Sequence, residues 1–179
     1  VVRDITLVKE TQQQLKISEE KFARAFHASP DGLLITRLVD GRLIEANEGF
    51  TRITGYVAGE AADRSTLELG IWANPEDRQH MVHAIRDQGS LRSFTAPIRT
   101  KGGSIRLCEL TAQPIPINGE ACVLTIARDI TERQQMQEKL LQAATVFEST
   151  AEGVMITDTE QRITAVNRAF TEITGYSEA

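Results

Sequence analysis

The chain repeats itself, and that repeat limits what it can fold into more than any other feature. The segment from Phe26, FHASPDGLLITRLVDGRLIEANEGFTRITGY, lies over the segment from Phe147, FESTAEGVMITDTEQRITAVNRAFTEITGY, with one residue fewer near Asp40 and Gly41. Phe26 and Phe147, Gly32 and Gly153, Ile35 and Ile156, Asn47 and Asn167, and Phe50 and Phe170 fall on one another. A residue lost at a turn is what loop tolerance allows. A third echo places VVRDIT, at the start, over IARDIT at Ile126 to Thr131. The pattern predicts a window on a tandem array: the tail of one unit (1–6), a helical linker (7–28), a complete unit (29–131), a second linker (132–149) and the first part of another unit (150–179).

The length of 179 residues fits this division, because one well-buried core takes about 100 to 150 residues. A net charge of -5 with no basic stripe argues against a nucleic-acid surface. No run approaches the roughly 18 to 20 apolar residues of a membrane span, and VVRDITLVKE lacks the regions of a signal peptide. The expectation is a soluble, cytoplasmic piece of a longer protein, with no membrane contact of its own and with the anchoring of the parent left open. A Gly-rich phosphate loop, a Ser, His and acid arrangement in a motif context and a metal-spaced acid cluster are all missing from the sequence. The segment is therefore expected to be non-catalytic, with no metal site.

Cys108 and Cys122 lie on two strand-like runs joined by Asn118-Gly119, a pair that favours a two-residue hairpin. In that register Ile117 faces Glu120, Cys122 faces Ile115 and Cys108 faces Asp129. The sulfurs would then be about 23 Å apart at about 3.3 Å per residue, far beyond disulfide reach. Both cysteines are expected to be reduced.

Within the complete unit the local signals come in order. GLLITRL and RLIEA read as short strands around an Asp40-Gly41 turn. Asn47 caps a short helix that Gly55 can end in a left-handed conformation. Ser65 and Glu68 have capping-box spacing, and Asn74-Pro75-Glu76-Asp77 opens a helix running to about Gln88. Three longer strands follow, LRSFTAPIRT, SIRLCELTAQPI and EACVLTIARD. Grouped strands with helices between them imply an α+β fold, with an antiparallel sheet carrying its helices on one face.

The linkers carry apolar residues at helical spacing. Val8, Thr11, Leu15, Phe22 and Phe26 form one stripe, and Met136, Leu140, Ala143 or Ala144 and Phe147 the other. Each helix could lie on its own domain or form a two-helix coiled coil between protomers. In the second case Leu15, Phe22, Phe26, Met136, Leu140 and Phe147 would form a homodimer interface.

The ingredients AN-x-x-F-x-x-ITGY at Ala46 to Tyr56, W-x-x-P-E-D-R at Trp72 to Arg78, a glycine turn at Lys101 to Ser104, and RDITER at Arg128 to Arg133 resemble those of PAS domains, the sensory modules of bacterial signalling proteins. The resemblance covers essentially the whole chain. It implies a five-stranded antiparallel sheet cupping a pocket, flanked by amphipathic linker helices. It also implies a sensory or relay role, with an output domain outside the segment: a histidine kinase, or an enzyme that makes or degrades cyclic di-GMP. A ligand-free dimerisation and interaction module of the same fold is the alternative.

The resemblance also bears on cofactors. The position matching the reactive cysteine of the light-sensing flavin branch falls at or beside Thr66, and the flavin-bonding polar residue of the last strand is matched by Ala127, which makes no hydrogen bond. His80 and His83 lie on the helix where haem-binding members carry their ligand, three apart and on one face. The family's ligand falls a residue or two before His80, on another face of the helix. Flavin and haem are therefore not expected, and the two histidines are expected at the rim or surface. An inward Ala127 places Thr125 and Val123 inward as well. With Ile35, Asn47, Phe50, Tyr56 and Trp72 these are the candidate pocket residues, for a small organic ligand or none. Asn47, Tyr56 and Trp72 each also have a structural reading, as cap, loop tie and core. Asp129, Ile130, Thr131 and Gln134 are the candidate relay junction, with Thr131 and Gln134 reading as a capping box at the head of the outgoing helix.

Overall fold

The computed structural model describes the backbone of residues 2 to 176 and the side chains of residues 8 to 176. It separates into two compact units, residues 1–131 and 132–179.

The first unit opens with helix α1, Val2–Ala28. The described backbone is helical from Val2, through the segment whose sequence echoes Ile126 to Thr131. A strand without neighbours leaves its backbone groups unpaired, whereas a helix pairs them internally. The side chains of residues 1 to 7 lie outside the described residues.

After α1 come strands β1 (Gly32–Arg37) and β2 (Leu43–Ala46), the short helices α2 (Glu48–Thr54) and α3 (Ala58–Ala61), helix α4 (Pro75–Gln88), and the long strands β3 (Leu91–Arg99), β4 (Ile105–Ile117) and β5 (Glu120–Asp129). They form the expected antiparallel five-stranded sheet, in the order β2-β1-β5-β4-β3. The last strand thus lies between the first and the fourth, and the two ends of the domain meet at one end of the β1–β5 pair, where Gly32 is opposite Ala127.

Local chemistry sets these elements as expected. Asn118 and Gly119 both take positive φ, 50° and 82°, as a tight hairpin turn requires. Ile117 pairs with Glu120, Ile115 with Cys122 and Cys108 with Asp129, and both cysteines are free and buried. Gly55 ends α2 at φ 77° with its N–H bonded to the Thr51 carbonyl. Ser65 and Glu68 exchange reciprocal 3.0 Å bonds. Asn74 differs: its side chain reaches the Asp77 carboxylate and does not cap α4, whose proline start already removes one orphan donor.

The core fills the concave face of the sheet. Leu34, Leu43, Phe50, Ile53, Leu69, Ile71, Trp72, Met81, Ile85, Ile98, Leu110 and Val123 are buried together there.

In the second unit, helix α5 (Thr131–Ser149) is followed by the hairpin β6 (Met155–Thr157) and β7 (Ile163–Val166) and helix α6 (Arg168–Thr174). This hairpin repeats β1–β2 closely. The register shift between Ile35 and Thr36 recurs between Ile156 and Thr157.

Candidate ligand cavity and helix junctions

Between the sheet and the helices lies a cavity of about 40 Å³, room for a few water-sized groups. Period-two alternation selects its strand residues: Gly32, Leu34 and Thr36 from β1, Ile98 from β3, Leu110 from β4, and Thr125 and Ala127 from β5. Phe50, Ile53 and Thr54 of α2 close one side, and Thr66, Ile71 and Trp72 close another. Arg78 and Met81, one helical turn apart on α4, complete it.

Of the expected pocket residues, Phe50, Trp72, Thr125 and Ala127 therefore line the cavity. Trp72 has both of its anticipated roles, since it is a buried core residue and its Nε1 donates to the Thr66 hydroxyl at 3.1 Å. Ile35 does not line the cavity, because alternation from Gly32 puts it on the other face of the sheet. Val123 points inward but is packed into the core, 1 % exposed, and lies off the cavity wall. Tyr56 spends its hydroxyl on the Leu69 carbonyl at 2.8 Å and ties a loop. His80 and His83 are exposed, and His80 stacks on Phe94 at 4.8 Å between centroids, away from the cavity.

Asn47 does not face the cavity either, and its role is larger than a helix cap. Its side chain is 1 % exposed and uses both ends of the amide. Oδ1 accepts from the amides of Leu33 (2.8 Å) and Phe50 (2.9 Å), and Nδ2 donates to the carbonyls of Phe26 (2.9 Å) and Asp31 (3.0 Å). One side chain thus joins the end of α1, the first strand and the first turn of α2. Asn167 makes the equivalent bonds in the second unit, to Val154, Phe170, Phe147 and Glu152. Phe26 is buried beside this tie, only 4 % exposed, so it belongs to its own domain and not to a free helix stripe. Phe147 is half-buried, whereas Leu15, Phe22, Met136 and Leu140 are 58 to 64 % exposed.

The outgoing junction is built around Asp129. Its Oδ1 accepts from the Thr131 amide (2.9 Å) and hydroxyl (2.6 Å), and its Oδ2 pairs with Arg106. The Thr131 hydroxyl also accepts from the Leu107 amide at 2.9 Å, and Ile130 N–H donates to the Leu107 carbonyl. The expected Thr131 and Gln134 capping box is thus replaced: Asp129 supplies the capping oxygen, and Thr131 is the first helical residue, turned back to β4. Burial acts against the Asp129 charge, but the Thr131 hydrogen bonds and then Arg106 outweigh it and hold the carboxyl below its ordinary value. Next to it, Arg128 makes a forked pair with Asp31, which follows α1, at 2.8 to 3.2 Å. The incoming and outgoing ends of the domain are therefore clamped side by side.

A PAS domain model matches residues 30–132, and a second one matches residues 140–179. The fold and these matches define an α+β sensory module. The chain belongs to the PAS domain family, and the segment is non-catalytic. It is 24 % identical to sporulation kinase E of Bacillus subtilis in an alignment of 185 positions that takes in 99 % of this chain, and 28 % identical to diguanylate cyclase DgcM of Escherichia coli in one of 113 positions that takes in 63 %. It spans only 24 % and 27 % of those proteins. The PAS domain of the HTR-like protein from Haloarcula marismortui superposes with a TM-score of 0.57 at 26 % identity, over 68 % of this chain and 99 % of that one. Among the described residues no helix is long and apolar enough to cross a membrane.

Proposed function

We propose that the complete unit senses a small organic ligand and relays the response through its outgoing helix to an output domain elsewhere in a cytoplasmic signalling protein. The observation that carries this reading is continuity along one strand. Thr125 and Ala127 form cavity wall, and two residues later Asp129 caps α5. A ligand that moves β5 therefore acts on the head of the helix without an intervening loop, and a junction of this kind supports a two-state response. The similarity to a sporulation kinase and a diguanylate cyclase points to a histidine kinase or a cyclic di-GMP enzyme as the output.

The reading without flavin or haem rests on the size of the cavity, on Ala127 and Thr66 at its wall, and on the outward placement of both helix histidines. In the parent protein, Thr131→Val is expected to leave ligand binding intact while abolishing ligand-dependent output. Unchanged regulation by that variant would defeat the relay reading.

A second reading, a dimerisation module, draws on α1. Val8, Leu15 and Phe22 recur every seven residues and are 54 to 59 % exposed, the spacing of a coiled-coil seam. Sedimentation of the chain is expected to give a dimer, and of Leu15→Glu a monomer; a monomeric parent chain would exclude this reading.

A further inference from the structure

Arg78 is the one charged side chain on the wall of the central cavity, and among the described residues it has no hydrogen-bond or ion-pair partner. Its Nε is fully buried and unpaired. The guanidinium lies against Gly41, where a Cβ would come within 2.6 Å of Nη2 and 2.8 Å of Nε. Asp40, beside that glycine, is already engaged: its carboxylate pairs with Arg37 at 3.3 Å and Arg42 at 3.5 Å, and it accepts from the Arg42 amide. Burial consequently presses the Arg78 pKa below the ordinary arginine value, with only the charge of Asp40 opposing. The residue is half-buried, and the part of the guanidinium around Nε is cut off from water without a partner, which is costly and favours an anion that can reach it.

The surroundings specify the rest of that anion. On its inner side Arg78 faces walls made largely of Leu34, Ile71, Trp72, Met81, Ile98 and Leu110. On its outer side it lines a surface groove together with Arg37 and Arg86, with Glu120 as the acid among the lining residues. The guanidinium thus stands at the boundary between an arginine-bordered groove and an apolar chamber. One charged head and a short apolar tail satisfy both, and a planar fork suits a carboxylate.

We propose that the cavity binds a small aliphatic monocarboxylate, its carboxylate paired with Arg78 and its tail against Trp72, Met81 and Leu110. This assignment rests on the sensory reading and names the ligand class it lacked.

The test uses the whole chain, with Trp72, its single tryptophan, as the fluorescent reporter. Propionate, butyrate and isobutyrate are titrated at constant ionic strength against propionamide, butyramide and sodium chloride. The acids are expected to bind with Kd values of about 10 µM to 1 mM, given the few heavy atoms that fit. Amides and chloride should be at least about tenfold weaker, the worth of a charge-assisted bond. Arg78→Met, similar in length and uncharged, should abolish the preference for acid over amide while unfolding no earlier in urea than the unliganded parent.

Equal binding of acids and amides, retention of acid preference by Arg78→Met, or no binding of any acid at about a hundred times the weakest expected Kd would each overturn the proposal. The acid-over-amide ratio needs no variant, so a poorly folding Arg78→Met leaves it decisive. Binding is read on this chain alone, so its failure is separate from a failure of relay, which appears only as unregulated output.

Discussion

Replacing Asn47 by alanine removes four hydrogen bonds at a position 1 % exposed. A helix cap by itself contributes about 1 kcal/mol. Here the cap is one bond of four, and the amides of Leu33 and Phe50 and the carbonyls of Phe26 and Asp31 lose their side-chain partner together. At about 1 kcal/mol for each bond, with more where a partner stays buried and unpaired, the expected loss is about 3–5 kcal/mol. That is a large part of the roughly 5–15 kcal/mol that holds a domain folded. Urea unfolding followed through Trp72 fluorescence isolates the complete unit, because the second unit contains no tryptophan. Asn47→Asp separates the two halves of the amide. It keeps the acceptor for Leu33 and Phe50 but turns an oxygen toward the Phe26 and Asp31 carbonyls, so the end of α1 and the Asp31 turn should loosen and lose amide-exchange protection while the Leu33 amide and the α2 cap stay protected. A loss of about 1 kcal/mol or less for Asn47→Ala would reduce the residue to an ordinary cap and refute the tie.

Other consequences can be measured directly. Cys108 and Cys122 are fully buried, and burial, then the Asp129 charge, pushes the Cys108 thiol up to about 12 despite Arg106; neither should react with Ellman's reagent until the protein unfolds, and fast native labelling would contradict the β4–β5 register. Asp129 is held below the ordinary 3.8 in the folded state, so its contribution is present above that value and lost as pH falls through the lowered folded value. Asp129→Asn should therefore unfold at lower urea at neutral pH and lose less stability on acidification than the parent; parallel acid curves would show that the junction carries no such linkage. Phe26→Ala should destabilise the unit by about 3–5 kcal/mol as a buried aromatic, whereas Phe22→Ala, 58 % exposed, should leave the stability of an isolated protomer nearly unchanged; similar losses would place both on one free helix stripe.

What the sequence determined by itself is what neighbouring residues decide among themselves. The Asn118-Gly119 turn admits positive φ at both positions, and once that turn is set every pair from Ile117 with Glu120 to Cys108 with Asp129 follows by counting. Gly55, Pro75 and the Ser65 and Glu68 pair likewise act within a turn of their own position. On the last strand, alternation put Thr125 and Ala127 on the cavity wall, whereas on β1 the sequence offered Ile35 and the structure places Leu34 and Gly32 there instead.

Only the tertiary structure decided which helix residues complete the cavity. Helical spacing relates Arg78 to Met81, but the choice between that face and the one carrying His80 and His83 depends on how α4 sits across the sheet. It also decided that Asn47 reaches back 21 residues to the Phe26 carbonyl, and that Asp129 caps α5 while the Thr131 hydroxyl turns to Leu107. Capping and turn rules act over a few residues and are written in order along the chain. A buried amide or an unpaired guanidinium finds its surroundings in segments that meet only when the sheet has closed.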